Sequence, residues 1–290
     1  CDPYCLSALH AEQNMGSNKL FCLKYFLIKS YDSFLTDFNK KITFNGLYPL
    51  AKNYEVDIRL ISHTFSEEIS LKLLAKCKEN RTTFHSCLVT AANASFFDLV
   101  ERKSDNLVDD VTVYYADAIN LRSHYPKQEK EHMGCHITFL EQKCTMTLED
   151  RRDFWSSARK ARISLHKSIA DKIHVKILPL VKCSMVLYPF NIWRNKRKTP
   201  NLMVAHYFTT NIGDITKTFC GRDPEDSVQI TDLCRATGWK KGGLLFTIEC
   251  HTFKKRLYIS IDYFTNKMPD EYAQEFFDTL KENLTTLAFE

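Results

Sequence analysis

Apolar residues recur along this 290-residue chain with the two spacings that distinguish helices from strands. Residues 1–18 follow neither spacing, which predicts an irregular start. Residues 20–38 are dense in apolar side chains and predict a connector helix with a buried face. Val56, Ile58, Leu60 and Ile61 then favour a strand, which we expect to end near His63.

Two helices are predicted after this strand. Ser66 followed by Glu67 and Glu68 is typical of a helix N-cap, and Asn80 is expected to end the first helix. Thr82 or Thr83 then caps the second helix. The predicted inward face of the first helix carries Ile69, Leu73 and Cys77. The stripe of mostly small residues on the second consists of Phe84, Cys87, Leu88, Ala91 and Ser95.

The middle of the chain mixes strand and helix signals without strict alternation. Strands are predicted over residues 111–119 and 135–140, and a long helix over residues 148–170. A further strand is predicted over residues 202–208. The inward side of the long helix is expected to carry Phe154, Ala158, Ala161, Leu165 and Ile169.

The C-terminal part predicts an antiparallel hairpin followed by a helix. Apolar residues alternate with period two over residues 244–250 and again over residues 257–263, across a Lys-rich connection. Pro269 then opens a helix. Its buried side is predicted to carry Tyr272, Phe276, Leu280, Leu284 and Leu287. Together these elements predict an α+β fold with a mixed, mostly antiparallel sheet covered by helices.

Composition and charge exclude several classes of protein. Apolar residues make up 44% of the chain and aromatic residues 12%, which argues against disorder and low-complexity sequence. The net charge of +5 is small and both signs are interspersed, so we expect no nucleic-acid partner. No apolar run approaches the roughly 20 residues that cross a bilayer, so no transmembrane segment is expected.

Cysteines and glycosylation sequons point to different compartments. Eleven cysteines without a small-scaffold spacing favour free buried thiols and a cytoplasmic location. Sequons at Asn80, Asn93 and Asn283 point to the secretory pathway, but Asn93 falls inside a predicted helix. The chain begins at Cys1 without an initiator Met, from which we expect that its true N-terminus is incomplete.

Six short segments, taken in chain order, carry a family resemblance. Residues 64–88 pair a helix cap with a Leu-Leu-x-x-Cys core and a Thr-x-x-x-x-Leu second helix. The others are AINLR at 118–122, MGCH at 133–136, DFWSSAR at 153–159, FTTNIGD at 208–214, and the last strand and helix from Arg256 onward. This ordered set resembles the C-terminal lobe of the CoA-dependent acyltransferase superfamily, which includes peptide-synthetase condensation domains and fungal alcohol acetyltransferases.

The resemblance implies a chloramphenicol-acetyltransferase-like lobe over residues 56–290, with residues 1–55 as a connector or a remnant of the first lobe. It also implies transfer of an acyl group from acyl-CoA or an acyl carrier to a small alcohol or amine. The acyl-CoA or pantetheine thioester would be a co-substrate rather than a tightly bound cofactor. A separate or missing N-terminal lobe is an implied partner.

The chain departs from this family at the catalytic motif. The family uses His-His-x-x-x-Asp at the end of the first lobe, with the second His as general base. No His-His pair occurs here, and His63 with Glu67 is better explained by a helix start. We therefore assign no catalytic residue. Either the first lobe lies in missing sequence, which the absent Met favours, or the chain is a noncatalytic pseudoenzyme that acts as a binding or interaction module.

Two groups of residues remain as site candidates. By the resemblance, Thr209, Thr210, Asn211 and Gly213 line a channel for the pantetheine arm, although an ordinary Asn-x-Gly turn explains them as well. Arg122 would, by the same resemblance, pair with the motif aspartate of the first lobe and hold the catalytic loop. A surface or local ion pair is its alternative role.

Other clusters have simpler explanations. His132, Cys135, His136 and Cys144 include zinc-ligand types, but a strand would divide them between two faces, so no metal site is predicted. Four basic residues in 193–198 suit a phosphate-bearing ligand, a membrane surface or RNA, yet a solvated loop explains them more simply. His206 is a lone base candidate, and a lone His is usually structural.

Overall fold

The computed structural model describes residues 57–105, 107–124, 136–176, 205–219, 229–237, 244–265 and 267–290. Several predictions fall outside these ranges. They are the helix at 20–38, the domain boundary at residue 55, the basic residues 193–198, and two of the four zinc candidates, His132 and Cys135. These remain predictions.

Strands and helices follow each other in an α+β order. The strands are β1 (Ile58–Thr64), β2 (Asp110–Asn120), β3 (Ile137–Thr147), β4 (Tyr207–Asp214), β5 (Phe246–Phe253) and β6 (Arg256–Phe264). The helices are α1 (Glu67–Glu79), α2 (Phe84–Lys103), α3 (Leu148–Arg152), α4 (Phe154–Ala170), α5 (Ile173–Lys176), α6 (Thr216–Phe219) and α7 (Asp270–Leu287), with a 3₁₀ turn at Leu121–His124.

The strands form one six-stranded sheet with the order β1-β6-β5-β4-β2-β3. β6 pairs antiparallel with both β1 and β5, and β4 pairs parallel with β5. In the β5–β6 hairpin Phe246 lies opposite Tyr263 and Ile248 opposite Ile261. This confirms the predicted hairpin and the mixed, mostly antiparallel sheet.

Contacts between Cα atoms divide the chain into two compact units. One comprises Cys1–Lys41, Asp117–Glu141 and Leu165–Leu202, and the other comprises Ile42–Ala116, Gln142–Ser164 and Met203–Glu290. The first unit, as far as it is described, contains the 3₁₀ turn, α5, the last residues of β2 and α4 and the first residues of β3. The second contains the rest of these three elements, β1, β4, β5, β6, α1, α2, α3, α6, α7 and one apolar core.

The core of the second unit lies between the sheet and helices α1, α2 and α7. Phe96 of α2 lies at its centre, with ring centroids 5.8 Å from Phe246 and 4.9 Å from Phe276. Tyr207 packs against Phe96 and donates a hydrogen bond of 2.8 Å to Asn93 Oδ1. Burial of large side chains at about 25 cal/mol per Å² is the main stabilisation of such a layer.

Local signals explain why the helices begin and end where they do. Ser66 accepts the Ile69 N–H at 3.2 Å and so caps α1, and Asn80 ends it. Thr83, one of the two predicted caps, accepts the Ser86 N–H at 3.2 Å at the start of α2. α7 begins after Pro269 as predicted. No helix in the described residues is long and apolar enough to cross a bilayer.

Three elements differ from their predicted bounds. The predicted helix over residues 148–170 is interrupted at Asp153, whose Oδ1 accepts the Ser156 N–H at 3.3 Å and starts α4 afresh. The predicted strand over 135–140 continues as β3 to Thr147. The strand predicted over 202–208 is β4, which extends to Asp214.

Candidate functional site

The channel candidates Thr209, Thr210, Asn211 and Gly213 lie within strand β4 rather than in a turn after it. The pairing with β5 is regular from Tyr207 to Asn211 and then shifts before Asp214, which marks a bulge. Gly213 has a φ of +74° in this bulge, and its N–H donates to Asn211 Oδ1 at 2.8 Å. The predicted Asn-x-Gly turn is therefore present as a local irregularity of the strand.

The four candidates face different surroundings because side chains alternate along a strand. Thr209 is 1% exposed and its Oγ1 donates to Ala116 O at 3.5 Å. Thr210 points to the other face, where its Oγ1 accepts from Arg235 Nη1 at 3.2 Å. Asn211 is half-buried and Gly213 is exposed. Thr210, Asn211 and Gly213 are thus the more accessible part of the group, and their role in a channel stays a prediction.

The other face of the sheet carries a buried polar layer that the sequence analysis did not anticipate. On β5 and β6 the positions between the apolar ones hold small or ionisable side chains, and all of them are buried. They are Thr247, Glu249, His251, Tyr258, Ser260 and Asp262. The available signal was the alternation itself, which places Thr247, Glu249 and His251 together on one face of β5.

Residues 229–237, which we call the covering segment, lie across this polar layer. Thr237 N–H donates to Asp262 Oδ2 at 2.7 Å, and Thr237 Oγ1 donates to Glu249 Oε1. Ser260 Oγ donates to Arg235 O at 3.4 Å. The Sγ of Cys234 lies 2.9 Å from the Tyr258 hydroxyl. Polar contacts thus hold the covering segment to the sheet.

Arg235 is the central cation of this layer. Its Nε lies 3.2 Å from Oε2 of Glu249, whose side chain has no exposed surface, and its Nη2 donates to Thr210 O at 2.8 Å. A guanidinium has five donors in a planar fork, so one side chain can bind β4 and β5 together. Arg235 therefore connects the bulged strand of the channel candidates to the buried carboxylates.

The two buried carboxyl groups of β5 and β6 share an electrostatic environment. Burial raises the pKa of Asp262 to about 7, and the charge of Glu249 and a hydrogen bond to it act in the same direction. The Thr237 N–H and the charge of Arg235 oppose this rise in pKa. Asp262 therefore keeps its proton up to near neutral pH, which lowers the cost of burying it beside Glu249.

The remaining sequence candidates have simpler surroundings. His206 is 7% exposed, its Nδ1 accepts the Tyr114 N–H at 3.0 Å, and burial lowers its pKa to about 4. It therefore orients a strand and is poorly suited to act as a base at neutral pH. In the first unit Arg122 lies in the 3₁₀ turn, where its N–H donates to Asn120 Oδ1 at 2.9 Å. Its predicted pairing with a motif aspartate stays a prediction.

Two of the three sequon asparagines have their side chains engaged in hydrogen bonds, Asn93 in the interior and Asn283 at a half-buried position. Asn93 is 2% exposed and accepts a hydrogen bond from Tyr207. Asn283 donates to Ser95 Oγ and to Asp98 Oδ2 at 3.2 and 3.0 Å. Neither side chain can carry a glycan in this fold, so these sequons are no evidence for a secretory location.

Several solved structures share the fold of this chain. The epimerization domain from the third module of tyrocidine synthetase B matches with a TM-score of 0.56 and 11% identity, over 97% of this chain and 58% of its own. TRI3 trichothecene 15-O-acetyltransferase from Fusarium sporotrichioides matches with a TM-score of 0.57 and 13% identity, over 90% and 53%. This chain has the fold of condensation domains and acyltransferases.

The cyclization-docking bidomain of EpoB from Sorangium cellulosum gives a TM-score of 0.57 at 12% identity, over 97% of this chain and 51% of that structure. The chain thus spans little more than half the length of these structures. No protein-family model and no curated protein matches the sequence. The likeness confirms the predicted fold resemblance, including its acetyltransferase-type lobe, at identities that show the fold alone.

Proposed function

We propose that this chain is the acceptor-channel half of an acyltransferase, which transfers an acyl group from acyl-CoA or a carrier thioester to an alcohol or amine. The observation that supports the proposal is the fold match over 97% of the chain to an epimerization domain and over 90% to a trichothecene acetyltransferase. The catalytic histidine would come from the His-His-x-x-x-Asp motif, which these 290 residues lack.

The proposed roles of individual residues follow the resemblance. Thr210, Asn211 and Gly213 would border the passage for the pantetheine arm, with Arg235 fixing the strand behind them. Thr209 would act from the buried side of the same strand. Arg122 would orient the motif aspartate as a positioning residue. A noncatalytic binding module is the second candidate, and the absence of the histidine motif from the sequence favours it.

The complete coding sequence tests the proposal. We expect a His-His-x-x-x-Asp motif about a hundred or more residues before Val56. In the longer protein, replacing the second histidine of that motif by Ala should lower acyl transfer by about 10² to 10⁴-fold without changing the melting temperature. A complete coding sequence without the motif, or a histidine variant of full activity, would contradict the proposal and favour the binding module.

A further inference from the structure

The covering segment lies on the polar layer as an irregular chain. Residues 229–237 form neither a helix nor a strand, and residues 229–231 are exposed. Exposure then alternates, with half-buried Leu233, Arg235 and Thr237 and exposed Asp232, Cys234 and Ala236. Segments with so much exposed chain and no strand ladder of their own belong to the parts of a fold that open before the core does.

Side chains carry the contacts that attach this segment to the sheet. Its Thr237 N–H donates to the Asp262 carboxyl group at 2.7 Å, and its Arg235 binds Glu249 with an Nε–Oε2 distance of 3.2 Å. Strand β5 is paired with β4 and with β6 by their own backbone ladders. The covering segment can therefore leave the sheet without breaking any of these strand pairings.

One cation and two acids meet under the covering segment. Glu249 is fully buried and Asp262 is 2% exposed. The charged groups that act on Asp262 are Glu249 from β5 and Arg235 from the covering segment, and its neighbour on β1 is Leu60. Burial lowers the pKa of His251, two residues along β5 from Glu249, so this ring is neutral at neutral pH. With Asp262 ionised, the buried layer holds two negative charges against one positive charge.

Docking of the covering segment is therefore linked to the proton on Asp262. Burial raises the pKa of Asp262 to about 7, whereas a solvated aspartate has a pKa of about 4. Between these pH values the docked form holds a proton that the open form releases, so the open form gains about tenfold in population with each pH unit. Above about pH 7 Asp262 is ionised in both forms and the gain ends.

We propose that the covering segment is a proton-controlled strap, which stays docked while Asp262 is protonated and whose open population rises once Asp262 has lost its proton. Opening hydrates Glu249 and Asp262 and withdraws Arg235 from Thr210, so it exposes this face of β4, β5 and β6 to solvent. Every residue of the strap and its contacts belongs to the second unit, so the inference does not depend on the proposed acyl transfer.

The test is amide hydrogen exchange of the purified chain, followed by NMR at about pH 5.5 and about pH 7.5 and divided by the intrinsic exchange rate at each pH. The quotient is the opening constant of each N–H, and Thr237 reports on the strap. Leu245, whose N–H donates to His206 O at 3.0 Å, reports on the core. We expect the opening constant of Thr237 to be at least about a hundredfold above that of Leu245. It should rise roughly tenfold to thirtyfold between the two pH values.

Asp262→Asn should make the opening constant of Thr237 independent of pH, because the amide does not titrate. Asp110→Asn is the matched control, since it removes an exposed carboxylate of β2 and should keep the wild-type rise. Equal opening constants for Thr237 and Leu245 in the wild type would show that the segment opens only with the whole fold. That result, an opening constant of Thr237 that does not rise with pH, or a full rise in Asp262→Asn would each overturn the proposal.

Discussion

At Gly213 the sequence correctly predicted a local turn of the backbone but placed it in the wrong element. The Asn-x-Gly triplet predicted a turn beyond a strand, and the structure has a bulge inside β4. The triplet reports that residue 213 adopts a positive φ, which local sequence determines. It does not report whether the neighbouring strand continues alongside, because that depends on the distant pairing with β5.

Replacing Gly213 by Ala should destabilise the protein by about 1–2 kcal/mol. A Cβ built at this position meets nothing within 4 Å, so the cost comes from the φ of +74° alone. Gly213→Asn should cost less than half as much, because Asn tolerates the left-handed conformation. The free energy of unfolding in urea measures both, and equal midpoints for Ala, Asn and wild type would contradict the strained backbone.

Asp262 gives the polar layer a defined dependence on pH. Its pKa is about 7 in the folded chain and near 4 in the unfolded chain, so between these values the folded state holds a proton that the unfolded state has released. This group therefore lowers the free energy of unfolding as the pH rises from about 4 to about 7. The loss is complete above pH 7.

Asp262→Asn should remove this dependence, since the amide does not titrate and its oxygen can still accept the Thr237 N–H. Measured as variant minus wild type, the free energy of unfolding should rise with pH between about 4 and 7. Asp278→Asn is the control of opposite sign, because the Lys281 hydrogen bond lowers the pKa of Asp278. Its difference should fall as the pH rises through the range below about 4, and parallel curves for the two variants would refute the assignment.

At the scale of elements, the sequence predicted what short-range signals specify. α1, α2 and α7 were found where caps and apolar stripes placed them, and the β5–β6 hairpin where period two placed it. The break at Asp153 was missed because residues 148–170 keep a helical apolar spacing across it. The buried polar layer was missed because the covering segment buries it, and the contacts of that segment with β4, β5 and β6 form only when the chain folds.

A polar network joins α2, α3 and α7. Arg151 donates to both carboxylate oxygens of Asp98 at 2.7 and 3.1 Å and to Asn283 Oδ1 at 3.0 Å. Asn283 in turn donates to Asp98 Oδ2 and Ser95 Oγ. Because Asp98 is largely buried, with 13% of its side chain exposed, its charge depends on this bidentate partner.

Replacing Arg151 by Met should lower the free energy of unfolding by about 2–3 kcal/mol, because the Asp98 carboxylate loses two charged donors. Arg152→Met is the matched control, since Arg152 is the exposed neighbour on the same helix and should cost less than about 0.5 kcal/mol. Guanidinium denaturation measures both. Similar losses in the two variants would show that the network contributes little.

At the scale of the whole molecule, the fold resemblance could be predicted from ordered short motifs, and the site could not. Arg235, Glu249 and Asp262 lie in segments to which the resemblance assigned no role, and they meet only when β4, β5, β6 and the covering segment assemble. The family motifs in turn marked Arg122 and residues 209–213, whose partners, by the resemblance, would belong to the first lobe. The sequence thus predicted the architecture more completely than the chemistry.

The 290 residues by themselves should not catalyse acyl transfer. The proposed function places the general base outside this sequence, and general acid–base catalysis typically contributes 10² to 10⁴-fold. Within the described residues the histidines with the most depressed pKa values are His174 and His206, both at about 4, which makes them weak bases at pH 7. We therefore expect purified chain, incubated with acetyl-CoA or a longer acyl-CoA and a panel of alcohols and amines, to show no acyl transfer above the rate without protein. Product formation followed by mass spectrometry measures this, with an active acetyltransferase as the positive control. Turnover that co-purifies with the chain and scales with its concentration would place a general base within the 290 residues. That result would contradict the proposal that the base lies outside them.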